Sequence, residues 1–128
     1  MDIGAAEARL YFRYLELSRS SSRQDRLTAN DPSGPLWRNY DRISSLVRAG
    51  ARDAADAAAL LASCATEPEQ IAYIVAGPFE DLWYADAQAF YDHVLPRLPG
   101  TIIKAAIGGM WIPAEGIRKI KAYLDSRA

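Results

Sequence analysis

The stretch IAYIVAG (Ile71–Gly77) is answered 32 residues later by IKAAIGG (Ile103–Gly109). Each run is apolar at helical spacing and closes in glycine, which suits a helix stop. Upstream, Leu60-Leu61 and Val94-Leu95 stand 34 residues apart, so each unit reads helix, short loop, helix, glycine. One such hairpin cannot bury its apolar face alone, whereas two stacked hairpins can. The spacing therefore predicts two helical hairpins over 53–112, stacked in a short HEAT-like array. Phe79 and Trp111 follow the glycines and are expected to fold back over the helix ends as plugs.

Working outward, Ala5–Ser18 carries Leu10, Tyr11, Tyr14 and Leu15 on one helical stripe. Phe12 falls off that stripe and is expected at the surface. SRSSSRQDRLTANDPSG (Ser18–Gly34) is polar and ends in turn residues, and reads as a mobile loop with at most a helical extension at its start. Pro35–Gly50 opens with proline and closes with glycine, as helices do. Asp53–Ala65 is an alanine-rich helix, and Glu67–Gly77 follows with Pro68 in its first turn. Pro78–Ala85 reads as a short helical turn or loop. Ala85–Leu98 is a helix whose last turn Pro96 disturbs. Thr101 caps the helix ending at Gly109, and Pro113–Ala128 is a terminal helix. The fold is all-α, with six or seven antiparallel helices. Its 128 residues are enough to bury a core and form a single domain over 1–128. Residues 1–50 form an N-terminal helical pair with a polar loop near 18–34, and 113–128 closes the chain.

The net charge of -1 hides a split. Residues 1–52 hold nine arginines and six acids, 53–98 hold one arginine and eight acids, and 99–128 hold five basic and two acidic residues. A net of -7 thus sits between two ends of +3 each. That balance argues against a nucleic-acid binder, and the arginines at 19, 23 and 26 read as part of a solvated loop. Lone Cys64 excludes an internal disulfide and any multi-cysteine metal site. It fits a small buried residue in a reducing cytoplasm. No signal-peptide core or membrane span is evident, so a cytoplasmic protein is expected.

No constellation of catalytic residues emerges. His93 is the one histidine, and its neighbour Asp92 points elsewhere on a helix. Gly108-Gly109 lacks the phosphate-loop pattern and follows a helix, not a strand. No enzyme activity, metal ligand or cofactor is expected. Glu80 and Asp81 suit a helix N-terminus. With Asp86 and Asp92 they also form an acidic patch beside Trp83 and Tyr84, and aromatics at such places anchor protein interfaces. Glu80, Asp81, Trp83, Tyr84, Asp86 and Asp92 are the candidate partner-binding residues.

The residues Ala76, Gly77, Pro78, Glu80, Asp81 and Leu82, then Phe90 and Asp92, then Ala106, Gly108, Gly109 and Trp111 make a pattern. It resembles an uncharacterised bacterial helical domain family with an AGPLEDLL…ALGGVW-like pattern. The resemblance covers roughly 53–112 and departs at Phe79, Trp83 and Met110. It implies a small helical domain and supplies no activity. The expected function is protein binding, as a bacterial immunity-type protein that masks a basic toxin domain. The alternatives are a regulatory or scaffold domain for another bacterial protein, and a small enzyme using His93 with carboxylates.

Overall fold

The structure, a computed structural model, describes residues 3–127. Met1, Asp2 and Ala128, part of the expected single domain, lie outside the described residues. Helix α1 is Ala5–Ser18. The Glu7 carboxylate accepts the Gly4 N–H at 2.8 Å, which satisfies a donor that the first turn leaves free. Ala8, Tyr11, Phe12, Tyr14 and Leu15 are buried. Phe12 is therefore not at the surface: it is 8% exposed and meets Tyr11 edge-on.

The polar stretch 18–34 is not a loop throughout, because α2 (Arg23–Ala29) lies inside it. Ser22 caps α2 by accepting the Asp25 N–H. Behind it the Tyr14 O–H donates to Asn30 Oδ1 at 2.9 Å and ties the segment to α1. Only Ala29 of α2 is buried, so no apolar stripe announces this helix. Helix α3 is Pro35–Ala49 and α4 is Ala51–Cys64. They are joined at Gly50 and Ala51, both left-handed, with φ of 78° and 68°. Glycine takes that conformation freely, while alanine is strained in it.

Helix α4 is the centre. Ala54, Ala55, Ala57, Ala58, Ala59, Leu61 and Ala62 are buried, and the helix touches α1 and α3 along with segments 68–74, 80–89 and 90–94. Side chains this small let neighbouring helices approach closely from several sides.

Helix α5 (Pro68–Ile74) does not stop at Gly77. It widens into a π turn at Val75–Phe79 and continues as α6 (Glu80–Ala89). Pro78 has no N–H and its ring crowds the carbonyl four residues back. A wider turn absorbs both defects without breaking the helix. The expected turn or loop at Pro78–Ala85 is thus helical, and the break falls at Asp86 (φ -161°, ψ 80°). A second π turn, Phe90–Val94, and a 3-10 turn, Leu95–Arg97, precede α7 (Gly100–Gly109) and α8 (Ala114–Ser126). Helix α7 starts at Gly100, so Thr101 lies in its first turn and is not its cap.

With α5 to α6 taken as one rod, seven helices and no strand make up the described residues. The fold is all-α. Phe79, Leu61, Leu82, Phe90, Ile103 and Ile120 are fully buried in one cluster running from α1 to α8. Phe79 is a core residue within the rod. Trp111 is no plug, because its side chain is 87% exposed.

Candidate protein-binding surface

The candidate surface is built on α6 and the short link from α7 to α8. The Trp111 N–H donates to Glu80 Oε2 at 3.1 Å. The Tyr84 O–H donates to the Trp111 carbonyl at 2.9 Å. Glu80 and Tyr84 are one helical turn apart, so they face the same way. Together they hold both polar groups of one peptide residue and leave its indole in water. Tyr84 is itself 63% exposed.

Trp83, one residue along, points elsewhere. Its Nε1–H donates to Tyr91 Oη at 2.8 Å, and it is half-buried against α8. A Cβ on Gly116 would lie 3.0 Å from the Trp83 ring, so glycine is what lets α8 approach. The Lys119 ammonium sits 4.1 Å above the Tyr91 ring.

Asp86 is committed internally. Its Oδ2 accepts the Ala51 N–H at 3.0 Å and its Oδ1 accepts the Ala89 N–H at 3.1 Å. One carboxylate thus serves the start of α4 and the turn after the break in α6. Asp81 is 3.7 Å from the Arg48 guanidinium. Asp92 is exposed and accepts from Gln88 at 2.8 Å. The structure brings Glu80 and Tyr84 together at Trp111, and places Trp83 and Asp86 in supporting contacts.

The central net of -7 overstates the free charge. Asp56 is bound by Arg97 at 2.8 Å and Arg52 at 3.1 Å. Burial pushes the Asp56 carboxyl up, but the two guanidiniums outweigh it and hold the group below its ordinary value. The Glu67 backbone N–H donates to Gln70 Oε1 at 3.1 Å at the start of α5.

Between α1 and α3, Tyr11 and Tyr14 each stack on Tyr40, with ring centroids 5.3 Å and 4.1 Å from it. Burial raises the Tyr11 pKa above its ordinary value, helped by Tyr40, Tyr73 and Asp81 against a smaller pull from Arg48. His93 is half-buried in the second π turn. Among the described residues no three His, Cys, Asp or Glu side chains gather as metal ligands. No described helix is long and apolar enough to cross a membrane.

Sequence reasoning missed Trp111 as an exposed anchor. The signal was its place in GGMWIP, a break too short to fold back over a helix end. No family model, curated protein or solved structure matches the chain.

Proposed function

We propose that the chain is a protein-binding module whose contact face is Trp111 and Tyr84, flanked by Glu80, Asp81 and Asp92. The observation that carries this reading is an indole 87% exposed on a backbone held by two side chains. Trp111 stands beside the exposed Tyr84, and Trp and Tyr are the residue types enriched among interface anchors. Covering it removes roughly 200 Å² of surface from water, about 5 kcal/mol gross at the usual apolar coefficient. The clamp fixes the loop beforehand, so less ordering entropy is lost on docking.

The flanking carboxylates favour a basic partner and steer its approach. A nucleic-acid-cleaving toxin domain, cytoplasmic and bacterial, fits that description. The chain would then be an immunity-type protein that masks the toxin's basic cleft. Asp86 and Trp83 support this face from beneath.

The test is affinity capture with the wild-type chain and Trp111→Ala in parallel. A stoichiometric basic partner should bind the wild type about 30-fold more tightly, the effect of a central anchor worth about 2 kcal/mol. Expressed alone, that partner should stop growth, and only the wild-type chain should restore it. A partner held equally by Trp111→Ala would sink the proposal.

A further inference from the structure

A groove runs between the end of α1 and α5. It consists of two adjoining clefts of about 500 and 430 Å³ that share Arg19, Glu69 and Tyr73 in their walls. The Arg19 guanidinium lies 4.9 Å above the Tyr73 ring and separates them. Among the described residues Arg19 has no ion pair, although carboxylates surround it. Glu16 is paired with Arg13 at 2.8 Å, and Glu67 stands at the cap position of α5, outside the helix. Glu69 is exposed and has neither an ion pair nor a side-chain hydrogen bond among the described residues. The groove thus holds an aromatic floor and an uncompensated carboxylate, with a cation from the chain itself lying on the floor alone.

We infer that this groove receives an arginine side chain from a basic segment of the protein partner, which takes the place of Arg19 on Tyr73 and pairs with Glu69. This rests on the protein-binding reading and extends it to a second contact. An incoming guanidinium gains the ring face and the carboxylate together, whereas Arg19 uses only the ring. Displacement asks little of the fold. Arg19 is exposed, and it follows the last residue of α1 in a link to α2 that contains Ser20 and Ser22.

The rod that walls the groove also carries Glu80 and Tyr84 of the Trp111 face. Glu69, Tyr73, Ala76, Glu80 and Tyr84 recur at three- or four-residue spacing along the α5–α6 rod. From Tyr73 to Tyr84 the rod rises about 16 Å, a span that five extended residues of a partner cover. A basic segment lying along the rod therefore reaches both contacts.

The probe is an N-acetylated, C-amidated hexa-arginine peptide, titrated at low salt into the full chain. Arg19→Ala should bind it about two- to fivefold more tightly than Arg42→Ala, which removes the same charge from α3. Glu69→Gln and Tyr73→Leu should each loosen it by a similar factor. Glu69 is exposed, so its variant reads the groove even if Tyr73→Leu perturbs folding. The inference is overturned if Arg19→Ala binds no tighter than Arg42→Ala, or if Glu69→Gln binds as the wild type. Arginine amide binding as tightly as the peptide would also overturn it, since the ligand would then be a small molecule. None of these results touches the Trp111 face, which is read on the captured partner and not on the peptide.

Discussion

Asp86 closes two helix starts through one oxygen each, the first of them 35 residues before it in sequence. Removing it leaves the Ala51 and Ala89 N–H groups without acceptors and the strained Ala51 without its tether. Asp86→Ala should cost about 1–3 kcal/mol, the range for losing two capping bonds, seen as a lower urea midpoint at unchanged slope. A cost under about 0.5 kcal/mol, the level of an ordinary surface change, would mean that water replaces the carboxylate. Asp92 has no such duty, so Asp92→Lys is the clean charge reversal for partner binding. Tyr11 makes a pH prediction. Its folded pKa is raised, so the folded state keeps its proton where the unfolded chain loses it. Its stabilising contribution is complete below about pH 10 and declines as pH rises beyond that. Melting temperature measured from pH 8 to 11 should fall less steeply in Tyr11→Phe than in the wild type. Some slope should remain, because burial also raises Tyr14.

At the scale of elements, the rod from α5 to α6 is held against α7 by a missing side chain. A Cβ on Gly109 would lie 2.9 Å from Val75 Cγ1 in the first π turn. Valine is stiff at χ1 and cannot swing away. Gly109→Ala should therefore destabilise by about 1–3 kcal/mol through overpacking. Val75→Ala in the same chain should recover part of that loss, giving a coupling energy above about 0.5 kcal/mol in a double-mutant cycle. Additive costs would show that the two elements do not press on each other there. The glycines of the two matched runs therefore differ in role. Gly109 ends a helix and admits a neighbour, while Gly77 lies inside a π turn with nothing within 4 Å of a Cβ built on it. In sequence they look alike, because a helix stop and a helix defect both attract glycine and proline. Helix α2 was hidden for another reason. It is capped by Ser22 but buries only Ala29, so it lacks the periodicity by which helices are read.

Across the whole molecule, two of the eight central acids, Asp56 and Asp81, are paired with arginines. Asp56 on α4 meets Arg97 from the 3-10 turn as well as its neighbour Arg52. Its carboxyl is held below the ordinary value, so its contribution is present above about pH 4 and is lost as pH falls through the lowered folded value. The pairs are exposed and worth about 0.2–1 kcal/mol each at most. Unfolding of Asp56→Asn against the wild type should show a small deficit at pH 7 that shrinks below about pH 4 and closes once the pH has fallen through the lowered folded value. A deficit that persists there would mark a packing effect instead. Added salt should shrink the pH 7 deficit as well.

The amino-acid sequence by itself determined the helical class and most helix positions, because local periodicity, proline and glycine act within one or two turns. It also marked α6 as the acidic, aromatic segment. What only the tertiary structure decided is which of those side chains meet the solvent. Asp86 and Trp83 are drawn into contacts with α4 and α8, while Trp111, expected to cover a helix end, stands in water on a loop pinned by Glu80 and Tyr84. Those outcomes depend on partners 8 to 35 residues away in sequence, beyond the reach of any local pattern. The face a side chain presents is set by what packs behind it.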